Sequence, residues 1–232
     1  MPTNNKELRT IDTNQKPWYL GPYFILSTLL IIVTLAFPLV GDILGAYVMK
    51  LTLSLLLFGA LYAVVAEGRV FRVLGALLLP LLAGNWLFDP ADHTLWAQAT
   101  FVVTMLFFAT TTIAIFTSII KAKKVTTDII FGAVAVYMLV GVIVTNLFQL
   151  LHNVDPGSAV SNIDALGHDA YSDILYFSFV TLTSVGYGDF APISPVARML
   201  ATATGIFGQL YLAILIAKLV GIYTAQSLRD SE

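Results

Sequence analysis

Long apolar runs alternate along the chain with short polar breaks. The runs cover residues 18–40, 43–66, 70–88, 95–120, 129–151 and 196–220. Each is close to or above the ~20 residues that a helix rising ~1.5 Å per residue needs to cross a hydrocarbon layer. The breaks are uneven: Gly41 and Asp42 alone separate the first two runs, residues 67–69 separate the second from the third, and residues 152–195 lie between the last two. The pattern predicts six membrane-spanning helices, the first four being antiparallel neighbours joined by short turns. Inside the long connection, residues 152–170 are polar and carry Pro156, Gly157 and Gly167, the signature of an exposed turret. Residues 172–183 turn apolar again but are too few to cross. Ser172 as N-cap and Asp173 in the first turn predict a half-helix that enters the membrane and stops midway. Such a segment is tolerated only where protein or water surrounds it, so the chain must line a cavity here.

Composition agrees with a polytopic membrane protein. Hydrophobic residues make up 58% of the 232 and charged ones 11%, against an apolar share of roughly 45–50% in soluble domains. A net charge of −2 offers no basic face for nucleic acid, and the lack of Cys removes disulfides, thiolate metal sites and cysteine nucleophiles. With the N-terminus inside, every one of the twelve Lys and Arg except Lys50 and Arg198 falls at or beyond a cytoplasmic helix end, as the positive-inside rule requires. Those two can snorkel. The long connection is then external and both termini are cytoplasmic. The external His93, His152 and His168 read as solvated loop residues.

The chemistry lies after the half-helix, in Thr183-Ser184-Val185-Gly186-Tyr187-Gly188-Asp189. Successive carbonyls of an ordinary strand point to opposite sides. Aiming them at one axis takes unusual dihedrals at alternate residues, and Gly186 and Gly188 have that spacing. Val185 and Tyr187 between them can pack outward as buttresses. A row of inward carbonyl oxygens is a hard ligand set suited to a partly dehydrated alkali cation.

From Thr181 to Asp189 this segment closely resembles the selectivity-filter signature of tetrameric potassium channels, and the likeness extends over roughly residues 129–225. The resemblance implies that the carbonyls of Ser184, Val185, Gly186 and Tyr187, with the Ser184 hydroxyl, form stacked K+ sites, Thr183 and Gly188 completing the filter. It also implies filter support from Tyr176, Phe177, Val180 and Asp189, and a homotetramer closing the ring of carbonyls. Two positions depart from the family. Ser184 stands where Thr is usual, keeping the hydroxyl but not the stiffening methyl. Tyr176 and Phe177 stand where many members have two Trp; Tyr176 can still hydrogen-bond near Asp189, whereas Phe177 cannot donate to Tyr187.

On the last run, Gly205, Gly208, Gln209, Leu212 and Ile216 are candidates for a gating hinge or for the cavity wall. Gly208 is either a bending glycine or, with Gly205, part of a small-residue contact that lets helices approach closely. Gln209 is expensive in lipid, so it faces the cavity or another helix. Lys218 marks the inner boundary. Residues 95–120 contain no Lys or Arg, and a steep voltage sensor needs three or four such charges at ~2.3 kcal/mol each per 100 mV.

The sequence therefore predicts an all-α membrane protein with six transmembrane helices, a re-entrant pore half-helix and a selectivity-filter loop around a fourfold axis. Its divisions are a cytoplasmic N-terminal segment (1–17), a four-helix peripheral region (18–120), a cytoplasmic linker (121–128), a pore domain (129–225) and a cytoplasmic tail (226–232). The expected function is passive, potassium-selective permeation without steep voltage gating and without enzymatic activity. K+ in the filter is the only bound group expected, and lipids and further copies of the chain are the partners. The expected location is a plasma or bacterial inner membrane. A non-selective cation pore, a non-conducting sensor or accessory subunit, and a potassium transporter subunit are the alternatives. Tyr187, the intact filter and the presence of a single glycine loop weigh against them in turn.

Overall fold

The computed structural model describes residues 21–44, 54–55, 94–122, 124–155, 159–163 and 170–230. Five helices follow one another among them: α1 (Pro22–Leu44), α2 (Thr94–Lys121), α3 (Thr127–Val154), α4 (Ala170–Leu182) and α5 (Pro195–Asp230). The only β-type pairing among the described residues is an isolated antiparallel bridge between Val160 and Pro192. Three stretches, Val102–Lys121, Thr127–Val154 and Pro195–Leu228, are long and apolar enough to cross a membrane, and Pro22–Ala36 is a shorter apolar helix stretch. The chain is thus a mostly helical membrane protein. The expected segment 1–17, most of the expected second span, the third span with Pro80, and the turret residues His168 and Gly167 lie outside the described residues.

Where the structure speaks, several boundaries move. Helix α1 runs through Pro38, Gly41 and Asp42 to Leu44, so the turn expected at Gly41 and Asp42 is not there. A single glycine or aspartate costs a helix about 1 kcal/mol or less, too little to end one embedded in apolar residues. Helix α3 starts at Thr127, two residues before the expected span, because Thr126 in extended conformation caps it, its hydroxyl accepting from the Ile129 N–H. Residues 122 and 124–126 are the described non-helical positions between α2 and α3. Helix α5 continues past 220 and 225 to Asp230, absorbing the described part of the expected tail. Nothing from Ile222 onward breaks it, and its far end is held: the Gln226 side-chain carbonyl accepts from the Val125 N–H, and the Lys218 ammonium donates to the Ile120 carbonyl at the end of α2.

Packing divides into two apolar clusters, both centred on α3. In the larger, Leu26 and Leu30 of α1 and Phe107, Phe108 and Ile115 of α2 pack against Ala135, Val136 and Leu139 of α3, with Tyr211 of α5 joining them. Gly132 lets α1 approach, since a Cβ there would stand 3.0 Å from the Tyr23 ring. In the smaller cluster, Val144 and Phe148 of α3 meet Ile174 and Phe177 of α4, Ala197 of α5 and Ala159 and Val160 from the loop before α4. The first cluster fastens α1 and α2 to α3; the second fastens α4 and the start of α5.

Candidate functional site

Helix α4 has 13 residues, a length of roughly 20 Å that falls short of the ~30 Å hydrocarbon core. It begins at Ala170, so Ser172 is its third residue and not its N-cap; Ala170 is a strong helix former and carries the helix half a turn earlier. Asp173 does sit in the first turn, buried. Outer helix α3 supports α4 along its length. The Phe148 and Phe177 rings meet edge to face with centroids 5.0 Å apart. At Gly141 a Cβ would overlap the Phe179 ring, so the missing side chain gives that ring its seat on α3.

The way α4 ends shapes everything after it. A helix leaves its last four carbonyls without partners, and here all four are taken. The Phe179 carbonyl accepts from the Thr183 N–H at 2.9 Å and the Thr183 hydroxyl at 2.8 Å. Val180 accepts from Val185 N–H at 3.0 Å and Gly186 N–H at 3.4 Å, and Thr181 accepts from Ser184 N–H at 3.0 Å. Leu182 accepts from the Tyr137 hydroxyl of α3 at 3.1 Å. Ser184 is left-handed with φ 59°. This is the Schellman arrangement: a left-handed residue two beyond the helix end, its N–H bonded back to the second-last helical carbonyl, and the next N–H to the third-last. The helix cap thus reverses the chain and starts the extended segment 185–189.

Positive φ then recurs at alternate residues, 57° at Gly186 and 83° at Gly188 after 59° at Ser184. The two glycines do what their spacing predicts. Ser184 extends the alternation by one position, where a residue with a Cβ is held left-handed by the cap. The side chains of Val185 and Tyr187 do not pack within their own chain: they are 53% and 72% exposed. Gly186 and Gly188 are equally open, a Cβ at either meeting nothing within 4 Å.

Asp189 closes the segment. Its carboxylate accepts from the Tyr176 hydroxyl at 2.8 Å and from the Phe190 N–H at 3.0 Å, as the sequence suggests for Tyr176. Partial desolvation and the adjoining Asp189 carboxylate push the Tyr176 hydroxyl up to about 12, so it remains a donor at neutral pH. Phe177 makes no such bond and is buried against α3.

The five candidate residues of α5 separate into two groups. Gly205 and Gly208 face the end of α4. A Cβ on Gly205 would lie 3.7 Å from the Thr181 carbonyl oxygen and 3.9 Å from the Ser184 hydroxyl, whereas one on Gly208 would overlap the Leu182 carbonyl oxygen. The Gly208 position is therefore a close contact with the end of α4. Gln209, Leu212 and Ile216 are exposed, on the face turned away from α3. Tyr211, one turn below Gly208, is buried and donates to the Ala133 carbonyl of α3 at 2.7 Å, with its ring stacked on Phe207 at 5.8 Å and beside Tyr137 at 5.7 Å.

Sequence reasoning missed Tyr137, Gly141 and Tyr211. Each had a signal: two tyrosines inside apolar helices need a partner for their hydroxyls, and a mid-helix glycine carries a cost that close packing explains. Among the described residues no group of three or more His, Cys, Asp or Glu is placed to hold a metal ion.

Comparison with known proteins points to the same region. Residues 125–225 match the family described as ion channel. A stretch of 48 residues is 42% identical to "Two-pore potassium channel 5" of Arabidopsis thaliana, covering 21% of this chain and 12% of that protein. The chain therefore spans about an eighth of the length of that relative. No solved structure matches the chain. The match of residues 125–225 coincides with the linker, α3, α4, the filter segment and α5, so the part of the molecule with readable site chemistry is also the part that is similar to ion channels.

Proposed function

We propose that the protein is a potassium-selective channel in which four copies surround one axis, each contributing the carbonyls of Ser184, Val185, Gly186 and Tyr187 to a file of K+ sites. The observation that carries this reading is the alternation of left-handed residues at 184, 186 and 188 directly above the carbonyl end of a half-crossing helix. Alternate positive φ turns successive carbonyls toward one side, and the negative end of α4 favours a cation below them. One chain supplies one such strand, so a closed cage needs several copies. The exposure of Val185 and Tyr187 agrees with neighbours packing there in the assembly. The similarity of residues 125–225 to ion channels supports conduction, and the potassium channel relative supports the ion.

The finer expectations belong to the same proposal: six spans per copy, both termini cytoplasmic, and a cell membrane as the site of action. Voltage dependence is weak in this reading, because Lys121 is the one basic residue of α2 and sits in its last turn. The test is reconstitution of the full chain into liposomes under a potassium gradient. Flux of K+ that exceeds Na+ flux by at least tenfold is expected. Equal Na+ and K+ flux would make the pore non-selective, and no flux under any gradient or voltage would leave the sensor or accessory reading in its place.

A further inference from the structure

The exit of the filter is strapped from outside by a stretch of the long external loop. Residues 159–163 run antiparallel to residues 189–193 around the Val160–Pro192 bridge. Ser161 makes two reciprocal bonds to Ala191: its N–H donates to the Ala191 carbonyl at 2.8 Å and its hydroxyl accepts from the Ala191 N–H at 2.9 Å. Ile193 N–H donates to the Ala159 carbonyl at 3.3 Å. Asn162 completes the set, its side-chain amide donating to the Asp189 carbonyl at 2.7 Å. Asn162 is left-handed, φ 63°, a conformation that Asn adopts more readily than other residues with a Cβ, and that turn brings its amide over the filter exit.

The strap is anchored. Ala159 and Val160 are buried, and they pack in the cluster that also holds Phe148 of α3, Phe177 of α4 and Ala197 of α5. Asp189 is therefore fixed by two independent elements: α4 grips its side chain through Tyr176, and the strap grips its backbone carbonyl through Asn162. The peptide groups just before it are the last of the filter, where Gly188 at φ 83° has no side chain to restrict it.

We propose that Asn162 is a positioning residue for ion conduction: by holding the Asp189 carbonyl it keeps the outer end of the filter in its conducting geometry when K+ occupancy falls. This rests on the channel reading above. Carbonyl oxygens aimed at one axis repel one another when no cation lies between them, and freeing Asp189 gives the outermost glycine peptide room to turn away. A neutral hydrogen bond of this kind accounts for a change of about two- to tenfold in the equilibrium or rate it opposes.

The experiment records currents from the reconstituted full chain while external K+ is lowered from a high to a submillimolar level. Asn162→Gly keeps the left-handed turn and removes the amide; Asn162→Asp keeps the shape and replaces the donor by a carboxylate; Asn162→Ala removes both amide and turn preference. All three are expected to lose current two- to tenfold faster than the wild type on K+ withdrawal, Asp fastest because its carboxylate faces a carbonyl oxygen, with K+ restoration reversing the loss. Wild-type K+ current with decay unchanged in Asn162→Gly and Asn162→Asp would overturn the role of the amide, even if Asn162→Ala decays faster through its backbone. Absence of K+-selective current in the wild type would instead overturn the channel reading itself.

Discussion

Helices α3 and α5 are both long and apolar enough to cross a membrane, yet they are used differently. Over the most apolar 18 residues of each helix, 44% of α3 is buried within the chain against 11% of α5. Helix α3 is packed by α1, α2, α4 and α5, whereas α5 buries one stripe, Ala197, Thr204, Gly208 and Tyr211, spaced by turns of the helix, and leaves Met199, Ile206, Leu210 and Ile214 bare. Apolar exposure alone is compatible with lipid, because lipid tails are as apolar as leucine. The bare side of α5, however, also carries Gln209 and belongs to the same chain region as the exposed filter strand. Polar backbone of that kind does not face hydrocarbon. Helix α3 thus finds its packing partners within its own chain; under the proposed fourfold arrangement the other copies cover the bare side of α5.

The largest effect is expected from disturbing the one stripe that α5 does bury. A side chain at Gly208 overlaps the Leu182 carbonyl oxygen, which is backbone and also receives the Tyr137 hydroxyl, so it cannot yield without dragging the start of the filter. Overpacking costs about 1–3 kcal/mol per site and sometimes more; Gly208→Val is expected at the upper end, with K+ flux at background and little assembled protein on a native gel. The matching change on α3, Gly141→Ala, meets the Phe179 ring, a side chain that can turn, and should leave measurable flux. Equal tolerance of both changes would remove the distinction between a backbone contact and a side-chain contact. Wild-type yield of Gly208→Val would show that this backbone contact can relax.

A smaller effect sharpens the bare side. If Gln209 lines a water-filled cavity, Gln209→Leu lowers the polarity of the ion path and is expected to reduce single-channel conductance roughly twofold. Unchanged conductance with a more heat-resistant assembly would place Gln209 against lipid and undo the argument from its polarity. Smaller again is the tie between the two helices: Tyr211→Phe removes the bond to Ala133 and should cost about 1 kcal/mol, read as an earlier midpoint when the assembly is dissociated by denaturing detergent.

How much of this was legible in the sequence depends on whether local chemistry or long-range contact decides a feature. The half-helix, the alternating glycines and the Tyr176–Asp189 bond follow from residue type and spacing, since a run too short to cross and a glycine every second residue are local facts. The left-handed Ser184 was not visible, because it comes from a helix cap that needs the Val180 and Thr181 carbonyls in place. For Gly208 the sequence offered a close helix contact as one of two readings but not its partner, Leu182, because that contact joins two separate helices. The helix ends shifted for a different reason: hydropathy marks where a lipid-compatible stretch stops, while the Thr126 cap sets the start of α3 and the bonds of Lys218 and Gln226 to Ile120 and Val125 hold the extension of α5.

The least effect is expected from pH at the grip on Asp189, and its sign can be worked out. The Tyr176 hydroxyl is raised from 10.0 to about 12, so its neutral, donating form is favoured by the folded site. The contribution is fully present below pH ~10, the value of an unperturbed tyrosine, and is lost only as pH rises through about 12. Between pH 7 and pH 10 the rate of current loss on K+ withdrawal should therefore be independent of Tyr176 ionisation. Tyr176→Phe, which removes the donor to the Asp189 carboxylate, should speed that loss at every pH in the range by a constant factor, about two- to tenfold for one hydrogen bond. A factor that shrinks as pH approaches 10 would mean that the hydroxyl ionises early and that desolvation with the Asp189 charge does not hold it neutral. A factor of one throughout would leave the exit of the filter held by the strap at Asn162 alone, and the comparison would then move from α3 and α5 to the external loop.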